Sequence, residues 1–120
     1  MVQSNAILFG WNTPVVGREG IAGELFAHTV NYFEKLKVGS QLESYEPVFL
    51  SSHGGDLNGF FLLRGTHVQL DTLRSSDEFI EITMRAGMCL TNVGVIDSYV
   101  GGTVAEVMTR WMKAIPAQTR

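Results

Sequence analysis

The residues of this sequence able to move protons, hold a metal or attack an electrophile are three histidines, one cysteine and a scatter of carboxylates. His28 follows Leu25 and precedes Tyr32 at helical spacing. An imidazole there titrates near neutral pH and can act as a general base or ligand contact in a cleft between helix and sheet. Equally, it can be a partly buried ring bonded to a backbone carbonyl or a tyrosine. His53 and Asp56 flank Gly54-Gly55. A His-Asp pair can hold one tautomer and activate water, and paired glycines can turn backbone N–H groups toward an anion. Turn chemistry accounts for the same residues, with glycine supplying unusual φ and Asp capping its own backbone. His67 falls in the first turn of a helix, where the dipole disfavours its charged form and solvent is the expected neighbour.

Two charges interrupt apolar strands. Arg64 closes one strand and Asp97 lies within another. Arg64 can bind a substrate carboxylate or pair with an acidic side chain at the strand end. Arg18 and Glu19 invite the same two readings, with a solvated pair the commoner outcome. Trp11 is expected as a pocket wall or an interface anchor. Together, Trp11, His28, Tyr45, Arg64 and Tyr99 are the residues expected near a small-molecule pocket, with no catalytic residue assigned. No metal site is expected, because the histidines are widely spaced and no carboxylate-histidine spacing recurs. Gly17-x-x-Gly20 lacks the Lys-Ser/Thr ending of a phosphate loop, and Ser51 and Ser52 lack a nucleophile-elbow frame. No cofactor is expected.

The elements that must position these groups are legible from periodicity. Ala6 to Trp11 reads as a first strand ended by Pro14. Ile21 to Lys37 reads as a helix with Ile21, Leu25, His28, Tyr32 and Leu36 on one stripe and Ala22, Phe26, Thr29 and Phe33 beside it. Lys35 and Lys37 suit its C-terminal end, and Gly39 suits a left-handed stop. Glu43 to Ser52, placed at an edge by Pro47, and Phe60 to Arg64 read as a hairpin with a long polar loop. Capping-box spacing occurs twice, at Thr66-His67-Val68-Gln69 and Ser75-Ser76-Asp77-Glu78, and predicts a helix broken into His67–Arg74 and 77–87. Leu70, Leu73, Phe79, Ile82, Thr83 and Ala86 face inward. Val93 to Val100 is a fourth strand. A third capping box at Thr103 opens a last helix to about Ile115, with Val104, Val107, Met108, Trp111 and Ile115 inward. The order β-α-β-β-α-β plus a C-terminal helix predicts one α+β domain over residues 1–120. Its expected architecture is a ferredoxin-like antiparallel sheet with its main helices on one face.

An antiparallel sheet with one wet face alternates apolar and polar residues. Here both faces are apolar: Ile7, Phe9 and Trp11 oppose Ala6 and Leu8, and Phe61 and Leu63 oppose Phe60 and Leu62. Helices cover one face. The other needs either a second copy of the chain or the last helix folded back over it, through Trp111 and Met108. Association costs on the order of 4–15 kcal/mol, which a patch of half a dozen large apolar side chains can offset. A homodimer is the expectation.

The element order, the doubly apolar sheet and Leu70-x-x-Leu73-Arg74 followed by Glu78-Phe79 resemble the dimeric α+β barrel superfamily. Within it, Gly10-Trp11…Gly17-Arg18-Glu19 and His53-Gly54-Gly55-Asp56-Leu57…Gly59-Phe60 resemble a small bacterial family of uncharacterised proteins. The resemblance implies a barrel-like homodimer; the superfamily hosts haem-degrading monooxygenases, polyketide-type oxygenases, lactone isomerases and stress-response proteins, so fold does not settle function. The haem-degrading members use an asparagine, a tryptophan and a histidine. This chain departs from that set, since Trp11 lies on a strand and residues 77–87 hold neither Trp nor His.

Composition narrows the classes further. The 120 residues carry a formal net charge of -3 without a basic cluster, against a nucleic-acid or anionic-membrane partner. Apolar runs are too short for a transmembrane helix, no signal peptide is legible at the N-terminus, and Cys89 has no disulfide mate. A reduced, cytoplasmic setting is expected. Three functions compete. The first is a small-molecule-binding protein, or a cofactor-free enzyme, with a pocket between sheet and helices. The second is a dimerisation or regulatory module that binds a partner protein. The third, disfavoured by the acidic balance, is an RNA-binding sheet suggested by Asn58-Gly59-Phe60-Phe61.

Overall fold

The computed structural model describes residues 2–116. The strands are β1 (Ala6–Trp11), β2 (Ser44–Phe49), β3 (Gly59–Arg64) and β4 (Gly94–Ser98). The helices are α1 (Glu19–Val38), α2 (His67–Ser75), α3 (Asp77–Cys89) and α4 (Gly102–Ala114). The chain order is β1-α1-β2-β3-α2-α3-β4-α4. The sheet order is β2-β3-β1-β4, with every neighbouring pair antiparallel. This is the ferredoxin-like arrangement, with the first and third strands central. Pro47, which has no N–H to donate, sits on edge strand β2.

Register fixes the two faces. Ile7 pairs with Leu63, Phe9 with Phe61 and Trp11 with Gly59, and this side lies under the helices. Leu8 pairs with Leu62 and Gly10 with Phe60 on the opposite side. Ile7, Phe9, Phe61 and Leu63 meet Leu25, Tyr32 and Phe33 of α1, Leu70 and Leu73 of α2, and Phe79, Ile82 and Ala86 of α3 in one buried core. The Phe33 ring stands edge-on to Phe61, with centroids 5.1 Å apart. Arg74 of α2 reaches Asp97 Oδ1 of β4 at 2.7 Å, tying the helical layer to the sheet edge.

The break between α2 and α3 occurs where expected, by a different serine. Thr66 caps α2 with a full capping box to Gln69. Ser76, not Ser75, caps α3: its Oγ accepts the Phe79 N–H, so the third helical residue is Phe79 and Glu78 closes no box. Three further expectations are corrected. Gly39 has φ −81, and Ser40 takes the left-handed conformation in its place at φ 60. The α1 stripe is rotated: Ala22, Leu25, Thr29, Tyr32 and Phe33 are buried, while Ile21 and His28 face outward. Thr103 does not cap α4; Gly101 does, at φ 59, and α4 has no buried residue. The helix meant to face inward through Val104, Met108 and Trp111 leaves all three exposed.

No described helix is long and apolar enough to cross a membrane. The sheet face bearing Leu8, Phe60, Leu62, Val48 and Ile96 has no helix over it, since α1, α2 and α3 pack on the other side.

Candidate functional site

A cavity of about 290 Å³ opens between the Trp11 end of the sheet and the first half of α1. Its floor is Phe9, Trp11 and Phe61. Ala22, Leu25, Phe26 and Thr29 of α1 form one wall, and Ala86 and Leu90 close the back with Pro14. Phe49, 69% exposed, stands at the rim with Gly23 and Glu19.

Local sequence explains why the space exists. The indole of Trp11 lies across Gly59, where an added Cβ would come within 2.7 Å of the ring. Only glycine lets the tryptophan lie flat over the start of β3. Asn58 donates its backbone N–H to the Trp11 carbonyl at 2.9 Å and its side-chain amide to Asn12 Oδ1, fixing the loop that delivers Gly59. On the other side, Pro14 bridges Leu90, and the Val15 N–H donates to the Cys89 carbonyl at 2.8 Å. That short ladder holds the β1 exit against the end of α3. Small residues Ala22, Gly23 and Ala86 leave the volume unfilled.

The lining is aromatic. Phe26 stacks on Phe61 at 5.2 Å and sits 5.1 Å from Phe49, while Trp11 meets Phe26 at 6.2 Å and Phe61 at 5.6 Å. Polar groups are few. Thr29 Oγ1 donates to the Leu25 carbonyl at 2.7 Å and is satisfied. Glu19 accepts the Gly17 N–H on Oε1 at 2.8 Å, and it is the titratable group among the lining residues. The Trp11 indole N–H makes no hydrogen bond among the described residues. Such a box can hold a flat apolar molecule by ring stacking, with the Glu19 carboxylate among its lining groups to orient it.

Of the five residues expected from sequence, Trp11 lines this cavity and the other four do not. His28 is exposed on α1, with Nε2 3.6 Å from Glu78 Oε1 of α3. Tyr45 lies on the helix-facing side of β2 and donates its hydroxyl to Glu34 Oε1 at 2.7 Å. That bond favours the neutral phenol and raises its pKa; slight burial and the Glu34 charge add to it. Arg64 is on the opposite face of the sheet, 3.6 Å from Glu46 Oε1. Tyr99 is exposed in the connection from β4 to α4. The structure therefore disperses this set over both sides of the sheet.

The remaining candidates resolve toward local roles. His53 Nδ1 lies 2.9 Å from the Ser51 carbonyl oxygen, and Gly54 has φ 81, as a turn requires. No bond joins His53 to Asp56 among the described residues. His67 lies 3.3 Å from Asp71, one turn on in α2. Arg18 donates to the Met88 carbonyl at 2.6 Å rather than pairing with Glu19. Among the described residues no group of three metal-ligating side chains comes together. Phe26, Phe49 and Phe61 were missed as site residues. Their placement was visible, because Phe49 alternates with Tyr45 and Phe26 adjoins the inward stripe, but nothing in the sequence told lining from core.

No family model matches the chain, and no curated protein matches it either. Among solved structures, it is similar to that of a dimeric protein of unknown function and ferredoxin-like fold from Bacteroides fragilis NCTC 9343. The TM-score is 0.58 at 8% sequence identity, covering 79% of this chain and 94% of that one. The likeness supports the ferredoxin-like fold and carries no chemistry with it.

Proposed function

We propose that this protein is a homodimer whose subunits each hold one small, flat, apolar molecule in the cavity beneath Phe26. The observation that carries the binding half is the aromatic box itself. A volume of about 290 Å³ sits just below the roughly 300–1,000 Å³ usual for sites of drug-sized ligands. It is about twice the engineered apolar cavity of roughly 150 Å³ that takes up benzene. The size suits one or two fused rings. A ligand hydroxyl or amine near the rim would meet Glu19, and that carboxylate is the group to which any proton transfer would fall.

The dimer half is supported by the uncovered sheet face and by the dimeric state of the similar Bacteroides protein. Pairing the open faces leaves the cavity, on the opposite side, accessible in each subunit.

Calorimetric titration with naphthalene, indole and 1-naphthol tests the binding. At least one is expected to bind with a stoichiometry of one per chain. Ala22→Leu, which places a larger side chain inside the cavity, is expected to abolish uptake while unfolding remains cooperative. Absence of binding to the wild-type chain, or equal binding to the variant, would reject the site. The alternative, a module that binds another protein, is favoured by the exposed ridge Ile80 and Met84 with Met88 along the outside of α3. Under it, Ala22→Leu changes nothing and Met84→Glu removes the partner.

A further inference from the structure

Helix α4 is built as an exposed arm. It carries no buried residue, and Val104, Met108 and Trp111 are all substantially exposed, Trp111 at 58%. The same residues fall at helical spacing on one stripe. The radius of gyration is 16.5 Å, against roughly 13–14 Å for a compact domain of this length.

Two features show that the departure is structured. Asn5 grips Val100 on both sides, with Oδ1 accepting its N–H at 3.0 Å and Nδ2 donating to its carbonyl at 3.1 Å. Gly101 then turns at φ 59, a conformation that favours glycine, and leads into α4. The chain thus leaves the edge strand β4 along a fixed path. Yet a helix of 13 residues without a side-chain cap or a packed face is marginal in water, where isolated helices below about 12–15 residues barely hold. The stripe needs a cover that its own subunit does not give.

We propose that α4 crosses to the second copy in the homodimer proposed above and packs its Val104–Met108–Trp111 stripe beside that copy's sheet face. The inference rests on that dimer, and the areas favour it. Strands about 4.8 Å apart and five or six residues long present a face on the order of 300 Å². Two such faces bury only about 600 Å², well short of the roughly 1,200–2,000 Å² of stable interfaces. A helix about 20 Å long and 10 Å wide covers on the order of 200 Å². Two exchanged arms, with the surfaces they cover, bring the total to about 1,400 Å², within the stable range. Ile96, 55% exposed on edge strand β4, marks where the sheet face needs extra cover.

Sedimentation equilibrium on the full chain, with Trp111→Glu and Met108→Glu, tests the arm. The wild type is expected to be a dimer, and each variant is expected to weaken it about 30-fold or more, as loss of a buried aromatic or apolar anchor does. Two variants guard against one that misfolds. A wild-type dimer with unchanged dissociation constants in both folded variants would overturn the arm and leave the dimer standing. A monomeric wild type would remove the dimer itself. Uptake of the wild type, but not the variants, by phosphatidylcholine–phosphatidylglycerol vesicles with the dimer unaffected would assign the stripe to a bilayer and equally overturn the proposal.

Discussion

At the scale of single residues, the hydroxyls of Tyr32 and Ser76 join two helices through a chain of bonds. Ser76 Oγ donates to the Leu73 carbonyl at 2.8 Å, so the Tyr32 hydroxyl, 3.0 Å away, is the donor to Ser76. Burial raises the Tyr32 pKa above its ordinary value of 10.0 most strongly; the Ser76 hydroxyl, which would turn to donate to an ionised Tyr32, opposes the shift, and the Glu78 charge adds to it. A phenol that holds its proton more tightly when folded stabilises the protein fully below the unfolded pKa and loses that contribution as pH rises through the folded value. Tyr32→Phe should therefore cost about 0.5–1.5 kcal/mol at neutral pH for the lost bond. The gap to wild type should stay level up to about pH 10, the ordinary tyrosine pKa, then narrow above it. Urea unfolding of both proteins at neutral and alkaline pH measures this; a gap that widens above pH 10 would refute the assignment.

At the scale of elements, the Ser75-Ser76 pair tests the cap between α2 and α3. Ser76→Ala should cost about 1–2 kcal/mol in urea unfolding, whereas Ser75→Ala should stay within about 0.5 kcal/mol. Equal effects would contradict the observed cap. This pair also shows what the sequence could and could not reveal. The strands, the edge position signalled by Pro47, and the helix break were legible because periodicity and proline chemistry are local. The identity of the capping serine was not, since the box spacing from Ser75 to Glu78 pointed one residue too early, while Ser76 caps α3 with Phe79 three residues on and no box. The α1 face was misread for a related reason: Ile21 and His28 share a stripe with Leu25 at helical spacing, and only packing against the sheet decides which flank of that stripe is buried. The cavity depends on Gly59 beneath Trp11, brought together by strand register across 48 positions of chain, and local pattern does not encode that meeting. Likewise, α4 has the pattern of an inward helix but no inward surface in its own subunit to meet.

At the scale of the whole molecule, one sheet separates two unlike faces. The helical side holds the core and the aromatic box. The other carries Leu8, Phe60, Leu62 and Ile96 with no helix above them. Leu8, Phe60 and Leu62 are half-buried and Ile96 is exposed. Covering what remains open gains a part of the about 1.5–3 kcal/mol that full burial of each would give, and this gives two copies reason to associate through this face. The most direct test is the mass of the chain in solution at micromolar concentration, by light scattering, beside that of Leu62→Glu. The account predicts a wild-type particle of twice 13.2 kDa and a folded variant of 13.2 kDa. A wild-type monomer, or a dimer untouched by a charge at the centre of that face, would contradict it.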